Sequence, residues 1–232
     1  MAGAAGLIRC RADLRMWSFP LVFLAFLPLS VALMIVLLQS GLVAAAETAD
    51  VDAGLYALGA FPSDQGLVAQ GGNPSDTRIT NGVGAGFKAA VFPHYLGNIV
   101  GVGLEFFGHG SEIAFASSSR AGSTASTNLW VFSSMVNLTL RYPGKAFVPY
   151  IGVGGGYSSG VLTQANIPGR SDRDFEGSWT FGYQFFGGLQ GNLTEKVFLF
   201  SEYKYFSADY HWKELALDFS SQYALFGIGL RF

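Results

Sequence analysis

From residue 47 to the C-terminus, apolar and polar side chains alternate with a period of two, and the alternation breaks at clusters of Gly, Pro, Asn and Asp. That rhythm is the mark of β-strands with two unlike faces, punctuated by turns. It predicts eight strands, over residues 51–59, 83–92, 99–107, 128–142, 147–158, 178–192, 197–206 and 220–232. Successive side chains of a strand point to opposite sides, so each strand can be sorted into two faces. In the last, Phe226, Ile228, Leu230 and Phe232 oppose Gly227, Gly229 and Arg231. In the sixth, Phe181, Tyr183, Phe185 and Leu189 oppose Gly182, Gln184, Gly188 and Gln190, and in the fourth Trp130, Phe132, Val136, Leu138 and Leu140 oppose Ser133, Asn137, Thr139 and Arg141. One face is bulky and apolar; the other is small or polar.

The connectors add closure. Residues 93–98, 143–146 and 193–196 are short, whereas 60–82, 108–127, 161–177 and 207–219 are long, and the two kinds alternate strictly. An all-β, eight-stranded antiparallel up-and-down barrel makes that alternation natural, with short turns at one end and long loops at the other. A soluble barrel would turn its large side chains inward, but the apolar set here is too bulky and aromatic to fit inside eight strands. It therefore faces lipid, and the closed sheet satisfies every backbone group without water. Eight strands leave an interior only wide enough for side chains, which predicts a plug and not an aqueous pore. The inward charges are Lys88, Glu105, Arg141, Glu202, Lys204 and Arg231, interleaved with glycines that make room for them. Lys88 and Glu105 flank the 93–98 turn at nearly equal distance and are expected across from each other, because a charge buried in a narrow lumen needs a partner. Aromatics near the strand ends are expected to form interfacial girdles: Phe92, Tyr95, Tyr142, Phe147, Tyr150 and Phe198 by the short turns, Phe107, Trp130, Trp179 and Tyr205 by the long loops.

The first 46 residues have a different character. Arg9, Arg11 and Arg15 precede an apolar stretch over residues 16–43, and Ala44, Ala45 and Ala46 supply small residues before Glu47. This reads as a secretory signal peptide, residues 1–46, ahead of a barrel domain, residues 47–232. The apolar stretch is longer than the usual 7 to 15 or so residues, so an uncleaved anchor is the competing reading. Pro20 and Pro28, which interrupt it, favour cleavage.

Composition removes other classes. Half of the residues are hydrophobic, 13% are charged and the net charge is -2. Disorder needs the opposite balance, a nucleic-acid surface needs a basic excess, and a single Cys cannot form a disulfide. No metal or cofactor motif is present: His94, His109 and His211 fall in separate connectors, and the acidic stretch 172–176 is interrupted by Arg173 and reads as a solvated loop. The one weak catalytic candidate is His109 with Ser111, since a His beside a Ser can activate the hydroxyl.

The segment 148–157 (VPYIGVGGGY), the segment 187–197 (GGLQGNLTEKV) leading into Ser201-Glu202-Tyr203-Lys204-Tyr205, and the terminal Gly229-Leu230-Arg231-Phe232 resemble the outer-membrane protein β-barrel domain family, the small OmpA/OmpX-type and opacity-like porin barrels of Gram-negative bacteria. The resemblance covers essentially all of the chain after residue 46. It implies an outer-membrane location, a monomer surrounded by outer-membrane lipid and lipopolysaccharide, and Phe232 as the signal read by the barrel-assembly machinery. It implies no common reaction and no cofactor. What it leaves to this chain is a structural or surface-interaction role, in envelope integrity or adhesion, with host or cell-surface ligands met at the loops. The alternatives are a lipid A acyl hydrolase, whose relatives similarly carry His, Ser and Glu toward the outer leaflet, and a narrow porin-like channel.

Overall fold

The computed structural model describes residues 48–63, 68–69, 77–115, 125–163, 175–212 and 215–232. The predicted signal peptide and the acidic residues 172–174 lie outside them. Among the described residues there are ten strands: β1 (Ala49–Pro62), β2 (Val68–Ala69), β3 (Thr77–Ile79), β4 (Gly82–Pro93), β5 (Val100–Phe115), β6 (Ala125–Arg141), β7 (Phe147–Thr163), β8 (Phe175–Asn192), β9 (Val197–His211) and β10 (Leu215–Arg231). Eight of them, β1 and β4 to β10, pair antiparallel in chain order. β10 returns to β1 through Gly229↔Gly54 and Leu225↔Leu58, which closes the barrel. The two short strands decorate the long-loop end, β2 against the start of β10 and β3 against the end of β5.

The turns at one end are as short as expected. In the first, Pro93 leads into a single 3-10 turn over His94–Leu96, which ends at Gly97 with φ 64. That left-handed conformation suits a residue without a Cβ.

The other end departs from expectation, because the strands run well beyond their predicted limits. β5 continues through Gly108, His109 and Gly110 to Phe115, where a loop was expected from residue 108. The glycines read as turn signals, but they serve as seats. A Cβ at Gly108 would lie 2.7 Å from the ring of Phe132, and one at Gly110 would lie 3.1 Å from Trp130. Two outward rings on β6, stacked with centroids 6.3 Å apart, lie across them. Loops 60–82, 161–177 and 207–219 are shortened in the same way, by strand residues reaching Pro62, Thr163 and His211. A 17-residue strand such as β7 is about 56 Å long. Tilted by about 40° it rises about 43 Å, more than the hydrocarbon thickness of about 30 Å. The strands therefore stand proud of the bilayer at one end.

Exposure follows the two faces. Leu55, Val83, Ile151, Tyr157, Trp179, Phe181, Phe226 and Ile228 are among the exposed large side chains. For a water-soluble domain this would be an unmanageable apolar surface; for a barrel in lipid it is the contact face. Tyr95, Tyr142 and Phe147 at the short turns and Trp179 toward the loops are exposed as girdle residues should be. Phe92, Phe107, Tyr150 and Phe198, expected in the girdles, are buried inside the barrel. Parity decides it: Phe107 shares a face with Glu105, and Phe198 with Glu202.

Candidate functional site

The chemistry-bearing residues converge on the lumen, which is built in three levels. At the short-turn end, Arg141 donates from Nη1 to Asp52 Oδ2 (3.0 Å), from Nη2 to Asp50 Oδ2 (2.7 Å) and from Nε to the carbonyl of Asn98 (2.7 Å). Arg231 meets Asp52 with both Nε (2.7 Å) and Nη2 (2.9 Å). His94 reaches Asp50 at 3.0 Å. The guanidinium of Arg141 also lies 3.7 Å over the ring of Phe92. Two arginines and two aspartates make this level neutral, and the fork geometry of Arg suits such shared carboxylates. Neither Asp50 nor Asp52 was among the expected inward charges.

The middle level is a second neutral set of two lysines and two glutamates. Lys88 and Glu105 hold paired positions on β4 and β5, yet their side chains turn to other partners. Lys88 reaches Glu202 Oε2 at 2.6 Å and the hydroxyl of Tyr150 at 3.2 Å, and that hydroxyl in turn donates to Glu202 (2.9 Å). Lys204 binds Glu105 Oε1 at 2.5 Å and lies 3.6 Å from Glu202 Oε1, so it ties the two carboxylates together. Glu105 is the hub. It also accepts from Tyr56 (2.5 Å), Asn137 (2.9 Å) and Gln184 (2.7 Å), and Gln184 bridges to Asn137 as well (2.7 Å). All six residues expected inside are thus at this level or the one below it. Lys88→Ala should lower the unfolding free energy by about 3 kcal/mol, because it strands the Glu202 carboxylate in the lumen. Lys145→Ala, in an exposed turn, should change it by less than about 0.5 kcal/mol. Equal urea midpoints for the two variants in lipid micelles would contradict this.

Above the ions the inner face turns aromatic and hydroxylic. Phe107 meets Phe206 and Tyr223 edge-to-face at centroid distances of 5.7 and 5.5 Å. Leu129, Val131, Leu217 and Phe219 fill the spaces between them. Ser158 links Ser133 (2.7 Å) to Tyr210 (2.5 Å). His109 and Ser111, expected at a loop entry, lie instead on the inner face of β5 and are buried. Ser111 Oγ is 3.4 Å from His109 Nδ1, and His109 Nε2 is 2.9 Å from the Tyr223 hydroxyl. The imidazole stacks on Phe219 at 6.0 Å. Glu112, the acid nearest in sequence, is exposed on the opposite face of the strand. The partner that holds the imidazole is therefore a tyrosine, and the pair faces packed rings and not lipid.

The lumen's glycines accommodate rings more than they accommodate charges. A Cβ at Gly101 would lie 2.4 Å from Phe92, at Gly152 2.3 Å from Phe186, and at Gly86 2.5 Å from Tyr56. Each inward ring leans onto the bare backbone of a neighbouring strand, and this is how so many aromatics enter an eight-stranded lumen. Among the described residues, no three His, Cys, Asp or Glu side chains gather where they would hold a metal ion.

The profile of the outer membrane protein beta-barrel domain family matches residues 30–232. No curated protein matches the chain. Among solved structures, OprG of Pseudomonas aeruginosa is similar at 15% identity with a TM-score of 0.55, over 80% of this chain and 96% of that one. Neisserial surface protein A shares 13% identity with a TM-score of 0.49, over 79% and 97% of the two chains. The attachment invasion locus protein of Yersinia pestis shares 16% with a TM-score of 0.44, over 80% and 99%.

Proposed function

Because the chain belongs to the outer membrane protein β-barrel domain family, we propose that this outer-membrane barrel is a rigid support whose specific work is done at the long-loop end, in envelope integrity or in attachment to host or neighbouring cell surfaces. The observation that carries this reading is the filled lumen. Two self-neutralising charge levels and an aromatic level fill most of the lumen with the protein's own side chains. Binding residues are disproportionately found on loops held by a rigid scaffold, and here the strands are longer than the hydrocarbon requires.

The same reading has residues 1–46 removed as a signal peptide and the barrel working as a monomer amid lipopolysaccharide, after assembly machinery has read Phe232. Loop segments 116–124 and 164–174 are then the natural contact regions for a cell-surface ligand. The test has three arms. The outer-membrane form, which should begin at Glu47 on N-terminal sequencing, is reconstituted in planar bilayers, where no steady conductance is expected. In cells, deleting residues 116–124 together with 164–174 should abolish attachment while leaving heat-modifiable barrel in the membrane. A steady conductance would turn the reading to a narrow channel. Unchanged attachment and envelope phenotypes after the deletion would sink it. Loss of lipid A acyl-chain trimming on changing His109 and Ser111 to Ala would turn it to an acyl hydrolase.

A further inference from the structure

Side-chain exposure separates Lys88 from the ions beyond it. At the short-turn level Asp50 and Arg231 remain 24% and 22% accessible and Asp52 and Arg141 10% and 6%; Lys88 is 23% accessible, whereas Glu105, Glu202 and Lys204 are each at 1%. A cavity of about 60 Å³ extends from Asp52, Arg141 and Phe198 near the short turns to the Lys88–Glu202 ion pair, and neither Glu105 nor Lys204 lines it. At about 10 to 15 Å³ per water centre, it has room for roughly four waters. Thr139, Gln190 and the Tyr150 hydroxyl line it together with the charged groups, so a guest finds the two to four polar partners that a held water needs. Beyond Lys88, Lys204 lies 4.7 Å from the ring of Phe107, and the aromatic level begins.

We propose that the short-turn half of the lumen is a blind hydrated chamber, which admits water and comparably small polar solutes from the short-turn end as far as Lys88 and stops them there. Two neutral ion-pair levels then have different surroundings: the arginine level and Lys88 are wetted, while the Glu105–Lys204 pair is dry. Lys88 is an addressable amine inside a membrane barrel, and Lys204, on the covered side of the same level, is not.

Reductive methylation of the intact folded protein in micelles, using isotope-labelled formaldehyde with a borane reductant, reads this without any substitution. Exposed Lys145 and Lys196 serve as internal standards. Lys88 is expected to be labelled more slowly than Lys145 but at least about tenfold faster than Lys204, which has to await opening of the barrel. Lys204 should become reactive only in unfolding concentrations of urea. A second measurement separates the chamber from general mobility. Ala90 lines the cavity on the same face as Lys88, so Ala90→Leu should fill it and suppress Lys88 labelling while Lys145 is unchanged. A Lys88 as inert as Lys204, or labelling untouched by Ala90→Leu, overturns the proposal. So does a Lys204 as reactive as Lys88, since the chamber would then not be blind. Unchanged attachment and envelope phenotypes after the loop deletion would defeat the proposed function, on which the labelling pattern does not depend, whereas an inert Lys88 would defeat the chamber alone, so the two failures are distinguishable.

Discussion

Replacing Glu105 with leucine is expected to destabilise the folded barrel by about 4 kcal/mol, the largest effect of any single charge in the lumen. Breaking a buried ion pair typically costs about 3 to 5 kcal/mol, because the surviving charge is left without compensation. Glu105 stands at the upper part of that range, since four donors lose their acceptor at once: Lys204, Tyr56, Asn137 and Gln184. Lys204 retains only Glu202 at 3.6 Å, a carboxylate already engaged by Lys88 and Tyr150. Removing the partner charge as well should recover much of the loss. An apolar replacement of both ions is often nearly neutral, so Glu105→Leu with Lys204→Met should unfold closer to the wild type than either single variant. The measurement is a double-mutant cycle from urea unfolding in lipid vesicles, with an expected coupling of about 2 to 3 kcal/mol. Additive single effects would mean that the two side chains do not act as a pair.

The period of two made the faces, the strand count and the three short turns legible in the sequence, because lipid contact imposes the same alternation on every strand. What escaped was the inner complement. The inward charges read from the pattern were four cations, Lys88, Arg141, Lys204 and Arg231, against two anions, Glu105 and Glu202. A lumen of that size does not tolerate two unpaired cations, so the imbalance itself pointed to two missing acids. Asp50 and Asp52 are those acids. Asp50 falls just before the predicted start of the first strand at Val51, whereas Asp52 lies within that strand and shares parity with the inward Gly54 and Tyr56, so its place inside was readable from the alternation. The interior aromatics escaped for a related reason. Phe92, Phe107, Tyr150 and Phe198 lie near predicted strand ends, which suggested girdles, although each shares parity with an inward residue. The extension of β5 was hidden by Gly108 and Gly110, since glycine under a neighbouring ring and glycine in a turn are identical in sequence. Only contact across strands tells them apart, and that information is not local.

The interleaving of ring and glycine yields the second large effect, at the seam where the barrel closes. Gly229 pairs with Gly54 across β10 and β1, and a Cβ placed on Gly229 would lie 2.3 Å from the ring of Phe198 and 2.8 Å from the carbonyl of Ala53. Valine there has nowhere to go. The ring is confined on its other side by Phe200, with centroids 6.0 Å apart, and by the Arg231 guanidinium 5.9 Å above it. Overpacking a well-filled interior costs about 1 to 3 kcal/mol, and a branched side chain against both a ring and a backbone carbonyl belongs at the top of that range. Gly229→Val is therefore expected to destabilise the barrel by about 3 kcal/mol. The strain should also displace Arg231 from Asp52, which it holds through two hydrogen bonds. Phe198→Ala, costly by itself at about 3 kcal/mol or more through lost burial, should relieve the clash in the double variant. The pair is then expected to be less destabilised than the sum of its members by at least about 1 kcal/mol. Gly191→Val on β8 is the control, since a Cβ there meets the Phe147 ring only at an ordinary 3.8 Å and faces lipid. Heat-modifiable mobility on cold electrophoresis reports closure directly: Gly191→Val should migrate as folded barrel, while Gly229→Val should lose that form at a lower temperature. Equal behaviour of the two would show that the glycine does not owe its place to the ring.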